Sequence, residues 1–206
     1  MVIVSGFENS WEWGSTSIIK ASYTCGYCGR YVASNQGMPW KKFTGSFFSN
    51  IEPYGVFVCT NCHMPTFIYR DVQVPGNLFG NPISGVPDNV NAIYEEARQA
   101  YSVNAYTGVI LLSRILLMHV SVNLGAEDPS NFAQAINYLK DNNYIPTTSE
   151  EWVDSIRKIG NRTNHDLTVN TKSEAETIIK FSEMLLRINY EYPDLASKML
   201  SDNSDK

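Results

Sequence analysis

The feature that most constrains this chain is the placement of its cysteines. All four lie in two Cys-x-x-Cys pairs, Cys25 with Cys28 and Cys59 with Cys62. Each pair places two thiolates on one side of a tight turn, and two facing turns offer the four sulfurs in the tetrahedral arrangement that Zn²⁺ prefers. Short strands are expected to lead into the turns, over Ser17–Tyr23 and Tyr54–Val58. The pattern predicts a zinc ribbon with one zinc ion per chain.

Other interpretations of the cysteines stay open at this stage. Two disulfides would use the same four residues, but the first residues lack a recognisable secretory signal, which disfavours an oxidising compartment. Iron in the same four-thiolate cage is a further alternative. His63 stands beside Cys62 and is an alternative ligand. With four thiolates bound, no position remains for water or substrate, so the predicted metal is structural.

Aromatic residues are concentrated in the same part of the chain. Residues 1–75 hold 14 of the 25 aromatics, including Trp11, Trp13, Trp40, Phe47, Phe48 and Phe57. A small metal-stabilised module is expected to pack such residues in its core. The alternative is that some of them stack on bases, as in ribbons that bind nucleic acid. Local charge in this region is nearly balanced, which favours core packing.

Charge and hydropathy restrict the possible partners. The net charge is −5 with a pI near 5.2, so the chain has no global basic field for a polyanion. The most apolar run, from Val109 to Val120, is interrupted by Arg114 and is too short to span a bilayer unaided. It predicts a buried helix, and we expect a cytoplasmic protein without membrane contact.

Domain organisation follows from a change of pattern near residue 75. Residues 74–88 contain three prolines and three glycines, which exclude a continuous helix or a central strand. We predict an α+β chain with a zinc ribbon over 1–75, a linker over 76–87, a helical domain over 88–200 and a flexible tail over 201–206. Periodicity and capping signals predict five helices. The first three run from Asp88 to about Asn104, from Ala105 to Leu124 and from Pro129 to about Asn142. The fourth begins at a capping box of Thr148 and Glu151, and the fifth begins at a capping box of Ser173 and Glu176 and ends at about Tyr190.

Three polar residues in the fourth predicted helix are candidates for a site. Arg157, Asn161 and His165 are spaced by four, so a continuous helix would place them on one side. An arginine grips a phosphate oxyanion and a histidine transfers a proton near neutral pH, so the set is suited to phosphate chemistry. The alternative is that Asn161 and His165 cap and end this helix.

Arg114 is a second candidate, because a charge in an apolar helix needs a partner. One interpretation is a structural ion pair with Glu95 or Glu96 of the first helix. The other is a site arginine that faces the same pocket as His165. His119, in the same helix, is expected in the core or an interface.

Three phrases in the helical half resemble a known family. They are Ile93–Ala97 (IYEEA), Val109–Ile115 (VILLSRI) and Ile156–His165 (IRKIGNRTNH). Together they resemble the domain of unknown function 4145, which is grouped with the HEPN superfamily (higher eukaryotes and prokaryotes nucleotide-binding). The resemblance implies a helical bundle that forms a homodimer, with roles in restriction, toxin and antiviral systems, where many members are metal-independent endoribonucleases.

The superfamily's nuclease signature is met in part. Asn161 and His165 match its polar residue and its histidine, but Arg157 lies eight positions before His165 and Arg162 only three. The favoured hypothesis is a module that binds RNA, a nucleotide or a protein partner, in phage defence or counter-defence. The alternative is an endoribonuclease that leaves 2′,3′-cyclic phosphate ends. In it, His165 would withdraw the 2′-OH proton, Arg157 or Arg114 would stabilise the phosphorane and Asn161 would orient the backbone.

Overall fold

The computed structural model describes residues 13–40, 42–44, 47–49, 52–127, 129, 131–165 and 169–204. The chain divides into two units, Met1–Leu78 and Phe79–Lys206. The first unit is built from strands and the second from helices, which confirms the predicted α+β class.

The first unit contains a five-stranded antiparallel sheet, which we call the ribbon. Its five strands lie in the order β1-β2-β5-β6-β7, and β3 and β4 form a separate two-stranded hairpin. The strands are β1 Thr16–Thr24, β2 Tyr31–Pro39, β3 Lys42–Thr44, β4 Phe47–Ser49, β5 Gly55–Val58, β6 Pro65–Tyr69 and β7 Val72–Val74. Both predicted strands are present, as β1 and β5. Each ends next to a cysteine pair.

The core of this unit is small. Among the described residues it consists of seven buried side chains, those of Ile18, Ala21, Tyr23, Cys25, Val32, Phe57 and Cys59. Phe57 is fully buried as expected, but Trp13 and Trp40 are 47% and 58% exposed, so the core-packing prediction is wrong for them. The Trp40 ring packs instead beside the rings of Phe67 and Tyr69, and the Trp13 indole donates to the His63 carbonyl. Trp11 and the side chains of Phe47 and Phe48 lie outside the described residues.

The second unit is a helical bundle. Its elements are α1 Asp88–Ser102, α2 Tyr106–Asn123, α3 Phe132–Asp141, a 3₁₀ turn Thr147–Ser149, α4 Glu150–His165, α5 Lys172–Leu186, a π-helical turn Arg187–Glu191 and α6 Tyr192–Ser204. Helix α2 lies centrally and packs against α1, α3, α4 and α5. Twenty-two buried residues form one apolar cluster in this unit. This core is large enough to hold the helices together without a metal.

Helix α2 is also long and apolar enough to cross a membrane. Among the helices of the described residues, it is the one that meets this criterion, and it does so by length and composition only. Inside the unit, 39% of it is buried. A helix at the centre of a globular bundle meets the same criterion. The buried face of α2, which includes Val109, Leu116 and Val120, is the face that the prediction of a buried helix requires.

Two predicted helix starts are shifted along the chain. Helix α3 is capped by Asn131, whose side chain accepts from the Gln134 amide, so the helix begins at Phe132 and not at the predicted Pro129. Helix α5 begins with a capping box of Thr171 and Glu174, two residues before the predicted Ser173 and Glu176. Both sequences satisfy the motif, and the extended backbone of Thr171 decides between them.

The predicted end of the last helix is also wrong. The chain passes through a π-helical turn and continues as α6 to Ser204, beyond Pro193 and beyond the predicted start of the tail at Ser201. In the π turn the Tyr192 amide donates to the Arg187 carbonyl, five residues back. This wider turn accommodates a residue without an amide proton, so Pro193 does not stop the helix.

Most of the predicted linker belongs to the helical unit. Ile83 is buried in its core, and Phe79 and Val86 pack against that core. Arg98 of α1 is buried and donates to the Phe79 carbonyl over 3.2 Å and to the Gly80 carbonyl over 3.0 Å. The proline- and glycine-rich segment from residue 79 onward is therefore fixed to α1.

Candidate functional site

The four cysteine sulfurs lie together, as the spacing predicts. All four are within 4.8 Å of one another. The Cys25 and Cys62 sulfurs are 3.7 Å apart, and those of Cys28 and Cys59 are 3.9 Å apart. A tetrahedron with Zn–S bonds of about 2.3 Å has edges of about 3.8 Å, whereas a disulfide bond measures about 2.05 Å. The cysteine cluster therefore has the spacing of a four-thiolate metal site and not of two disulfides.

Both cysteine turns are built in the same way. The Gly29 amide donates to the Cys25 carbonyl over 2.8 Å, and the His63 amide donates to the Cys59 carbonyl over 3.0 Å. The amides of Cys25 and Cys59 donate to the carbonyls five residues later, of Arg30 and Met64. Residues at the fifth position of each turn, Gly29 and His63, both have a left-handed backbone with φ near +60°. His63 is thus placed as the residue that closes the second turn.

This geometry separates His63 from the ligand set. Among the described residues, the group that could hold a metal consists of the four cysteines, and His63 is exposed and outside this group. Its carbonyl accepts from the Trp13 indole over 2.6 Å, which attaches the start of the described chain to the second turn. The alternative in which His63 replaces a thiolate has no support in this arrangement.

The two turns are also joined by side chains that sequence reasoning missed. Arg30 in the first turn donates to the Asn61 side chain in the second over 2.8 Å. The Asn61 amide donates to the Cys59 sulfur over 3.4 Å. Gly26 lies so close to the carbonyls of Pro75 and Gly76 that a Cβ there would approach them within 2.6 Å. Only a glycine fits at this position, because backbone and not a flexible side chain occupies the space.

Burial and hydrogen bonding shift the pKa values of the cysteine thiols in different directions. Burial raises the pKa of Cys25 and of Cys62. Burial also opposes ionisation of Cys28, but hydrogen bonds from the Arg30 backbone amide and the Asn61 side chain outweigh it and lower its pKa. Since a metal binds thiolates, it must displace protons from the two thiols with raised pKa, and its affinity falls as the pH falls.

The candidate residues on α4 occupy one continuous helix. Helix α4 runs through His165, so Arg157, Asn161 and His165 lie at successive positions on one side of it. The side chains of Asn161 and His165 lie outside the described residues. Arg157 donates to the Asn137 side chain on α3 and lies 3.5 Å from the Asp154 carboxylate. Its Nε is buried with no hydrogen-bond partner among the described residues.

Arg114 of α2 lies beside the first residue of α3. Its guanidinium lies over the Phe132 ring, 4.6 Å from the centroid, and burial lowers its pKa. The Glu95 carboxylate instead binds Arg98, with both oxygens 2.7 Å from the same nitrogen. Arg114 is therefore directed toward the start of α3, while the predicted acceptor Glu95 serves the buried Arg98.

A second polar cluster in the helical unit was not anticipated. Glu183 of α5 is buried and accepts from Asn81 over 2.8 Å, from Lys180 over 3.0 Å and from Arg187 over 3.2 Å. Burial alone would raise the pKa of Glu183, but these donors outweigh it and lower that pKa. The signal available in the sequence was the placement of Lys180 and Arg187 three before and four after Glu183 on one helix.

The comparisons with known proteins agree with the helical half. The family model described as domain of unknown function (DUF4145) matches residues 95–203, which is more than half of the chain. The chain belongs to the DUF4145 family. The match begins within α1 and ends within α6, so it covers every helix of the unit and none of the cysteines. Comparison with curated proteins and with solved structures found no match in either set.

Proposed function

We propose that this DUF4145 protein is a homodimeric, zinc-binding, HEPN-like module that recognises RNA or a nucleotide. Its place would be in restriction, phage-defence or counter-defence systems, as for the proteins it resembles. The observation that carries the proposal is that α4 is one continuous helix, so Arg157, Asn161 and His165 follow one another at intervals of about one turn on one side of it. Guanidinium, amide and imidazole groups are suited to bind phosphate oxygens in such an arrangement.

Homodimerisation is supported by the outer side of α2. Leu111, Ile115 and Val122 recur there at helical spacing and are 42–46% exposed, and His119 lies on the same side. An exposed apolar stripe on the most apolar helix of a bundle is suited to pack against its own copy about a two-fold axis. Light scattering at micromolar concentration should give about twice the 23.2 kDa chain mass. Ile115→Lys should give the monomer mass, whereas Lys198→Glu, an exposed control on α6, should not.

Endoribonuclease activity is the second candidate, because α4 does not break at Gly160 and so keeps Asn161 and His165 in register with Arg157. In that case His165 removes the 2′-OH proton and the 2′-oxygen attacks the phosphorus. The bond to the 5′-oxygen breaks, that oxygen takes up a proton, and a guanidinium stabilises the negative charge on the phosphorane oxygens. The position of Arg157, eight residues before His165, departs from the nuclease signature and favours binding over cleavage.

One experiment tests binding and cleavage together. The zinc-loaded protein and a His165→Ala variant are incubated with transfer, ribosomal and messenger RNA, with chelator added only after folding is verified. We expect retention of some of this RNA on the protein, with the RNA left intact. Fragments with 2′,3′-cyclic phosphate ends that disappear in His165→Ala would establish the nuclease instead. No retention and no cleavage by a folded, zinc-loaded protein would overturn both.

A further inference from the structure

The outer face of the ribbon sheet is unusually apolar. Phe57 and Thr66, which pair across β5 and β6, are fully buried on the inner face, so their neighbours along each strand lie on the outer face. Two cross-strand rows result. One row runs Met38, Val56, Phe67 and Val74. Two residues further along lie Trp40, Tyr54, Tyr69 and Val72, where the Trp40 amide donates to the Tyr54 carbonyl and Tyr69 pairs with Val72. All eight of these residues are apolar or aromatic.

Four of these residues form a connected set of rings, which we call the aromatic platform: Trp40, Tyr54, Phe67 and Tyr69. The Trp40 ring is 5.5 Å from Tyr69 and 5.9 Å from Phe67, and the Tyr54 ring is 5.1 Å from Tyr69, measured between centroids. Trp40 is 58% exposed and Met38 beside it is 68% exposed. A patch of this kind on a small unit is a common mark of a binding surface.

A cation stands at the edge of the platform. Arg70 lies in the tight turn between β6 and β7, with a left-handed backbone at φ 53°, and its guanidinium is 5.2 Å from the centroid of the Tyr69 ring. Arg70 is exposed and makes no ion pair with any described residue. A non-glycine residue in this conformation is uncommon, and here it brings a guanidinium to the edge of the ring surface.

We infer that the aromatic platform binds unstacked bases of a single-stranded nucleic acid, with Arg70 contacting one phosphate. This inference rests on the proposed RNA-binding function and assigns part of that function to the ribbon. Every base has a flat π face, so stacking on the exposed Trp40 ring tolerates any sequence. Aromatic side chains on a sheet bind bases in this way in several RNA-binding modules.

Acidic residues near the platform limit the electrostatic contribution to binding. Glu52 and Asp71, both exposed, lie close in sequence to Tyr54 and Arg70 and oppose the charge of Arg70. A double helix offers phosphates but no free base faces, so the platform should discriminate against it. With about one phosphate neutralised, the logarithm of affinity for a single strand should fall with the logarithm of salt concentration with a slope of about −0.7.

Fluorescence anisotropy on the zinc-loaded full chain tests the inference. The probes are labelled 12-residue oligouridylate, 12-residue oligothymidylate and a duplex of the same length. Trp40→Ala should weaken binding of both single strands about tenfold or more, Trp40→Phe should restore most of it, and Arg70→Gln should reduce the salt dependence. Tyr31→Ala is the matched control, since Tyr31 is 75% exposed on β2 away from the platform. Zinc content and circular dichroism verify that each variant is folded.

Each outcome has a defined meaning. If Trp40→Ala weakens binding of oligouridylate and oligothymidylate equally, the result supports base stacking. If it weakens binding of oligouridylate alone, the result still supports the platform and shows that the platform also contacts the ribose. RNA binding that is unchanged in Trp40→Ala but lost in Arg157→Gln overturns the platform and leaves the proposed function standing. Duplex bound as tightly as single strand overturns the platform too. If neither the probes nor longer RNA bind, both proposals are overturned. The exposed aromatic platform would then be a surface for a protein partner.

Discussion

Among the described residues, the ribbon unit buries seven core residues, two of them cysteines, whereas the helical unit buries twenty-two, none of them a cysteine. Apolar burial contributes roughly 25 cal/mol per Å², so a core of seven residues offers little against the entropy of ordering the chain. The bundle has the apolar surface that the ribbon lacks. The difference predicts that the ribbon depends on a metal bound by its four cysteines, whereas the bundle is held by its side chains.

The largest effect is expected from Cys59→Ser. The loss of one thiolate forfeits most of a zinc-binding free energy that is about 10–16 kcal/mol in small zinc modules, and the ribbon should unfold. The helices should remain, because their core contains no ligand. Zinc analysis should fall well below one equivalent while the helical circular dichroism persists. Loss of both signals would mean that the units do not differ as described.

The reverse experiment is Leu117→Ala, which removes a fully buried side chain from the centre of α2. A cavity of this kind costs roughly 2–5 kcal/mol, and it should lower the stability of the bundle alone. Denaturant unfolding monitored by helical circular dichroism measures the cost. Zinc content should stay at one equivalent, and a variant that also releases zinc would contradict separate stabilisation.

Glu183→Gln tests how the stability of the helical unit depends on pH. Because the pKa of Glu183 is lowered, its contribution is present above the unfolded pKa of about 4.3 and is lost as the pH falls through the lower folded value. At pH 7 the variant should be less stable by about 1–3 kcal/mol, since Asn81, Lys180 and Arg187 lose a charged acceptor. The difference from wild type should shrink below about pH 4. A difference that stays constant to pH 3 would contradict it, and Glu151→Gln is the exposed control.

The smallest effect is expected at the turn positions of the ribbon. His63→Gly should keep the zinc and raise ribbon stability by up to about 1 kcal/mol, because glycine relieves the left-handed backbone at φ 57°. Gly29→Ala, at the equivalent position with φ 69°, should lower stability by a similar amount. Thermal unfolding followed by zinc release measures both. Release of zinc by His63→Gly would show that His63 is a ligand after all.

The sequence predicted the α+β class and the grouping of the four cysteines well, because the cysteine spacing and the helical periodicity are local signals. It predicted less well where two local solutions compete. Thr171 and Ser173 both begin a capping pattern, and Pro193 ends a helix unless a π turn precedes it. The exposure of Trp40 was missed, since composition cannot tell the inner face of a sheet from the outer one. The contact of Arg114 with Phe132 depends on the packing of α2 on α3, which no local pattern specifies.

The central claim is that zinc bound by four thiolates holds the ribbon, and X-ray absorption of the protein purified without chelator tests it most directly. We predict one equivalent of zinc with four sulfur neighbours at about 2.3 Å, from Cys25, Cys28, Cys59 and Cys62. Well under one equivalent, or a shell in which nitrogen or oxygen replaces a sulfur, would contradict the account.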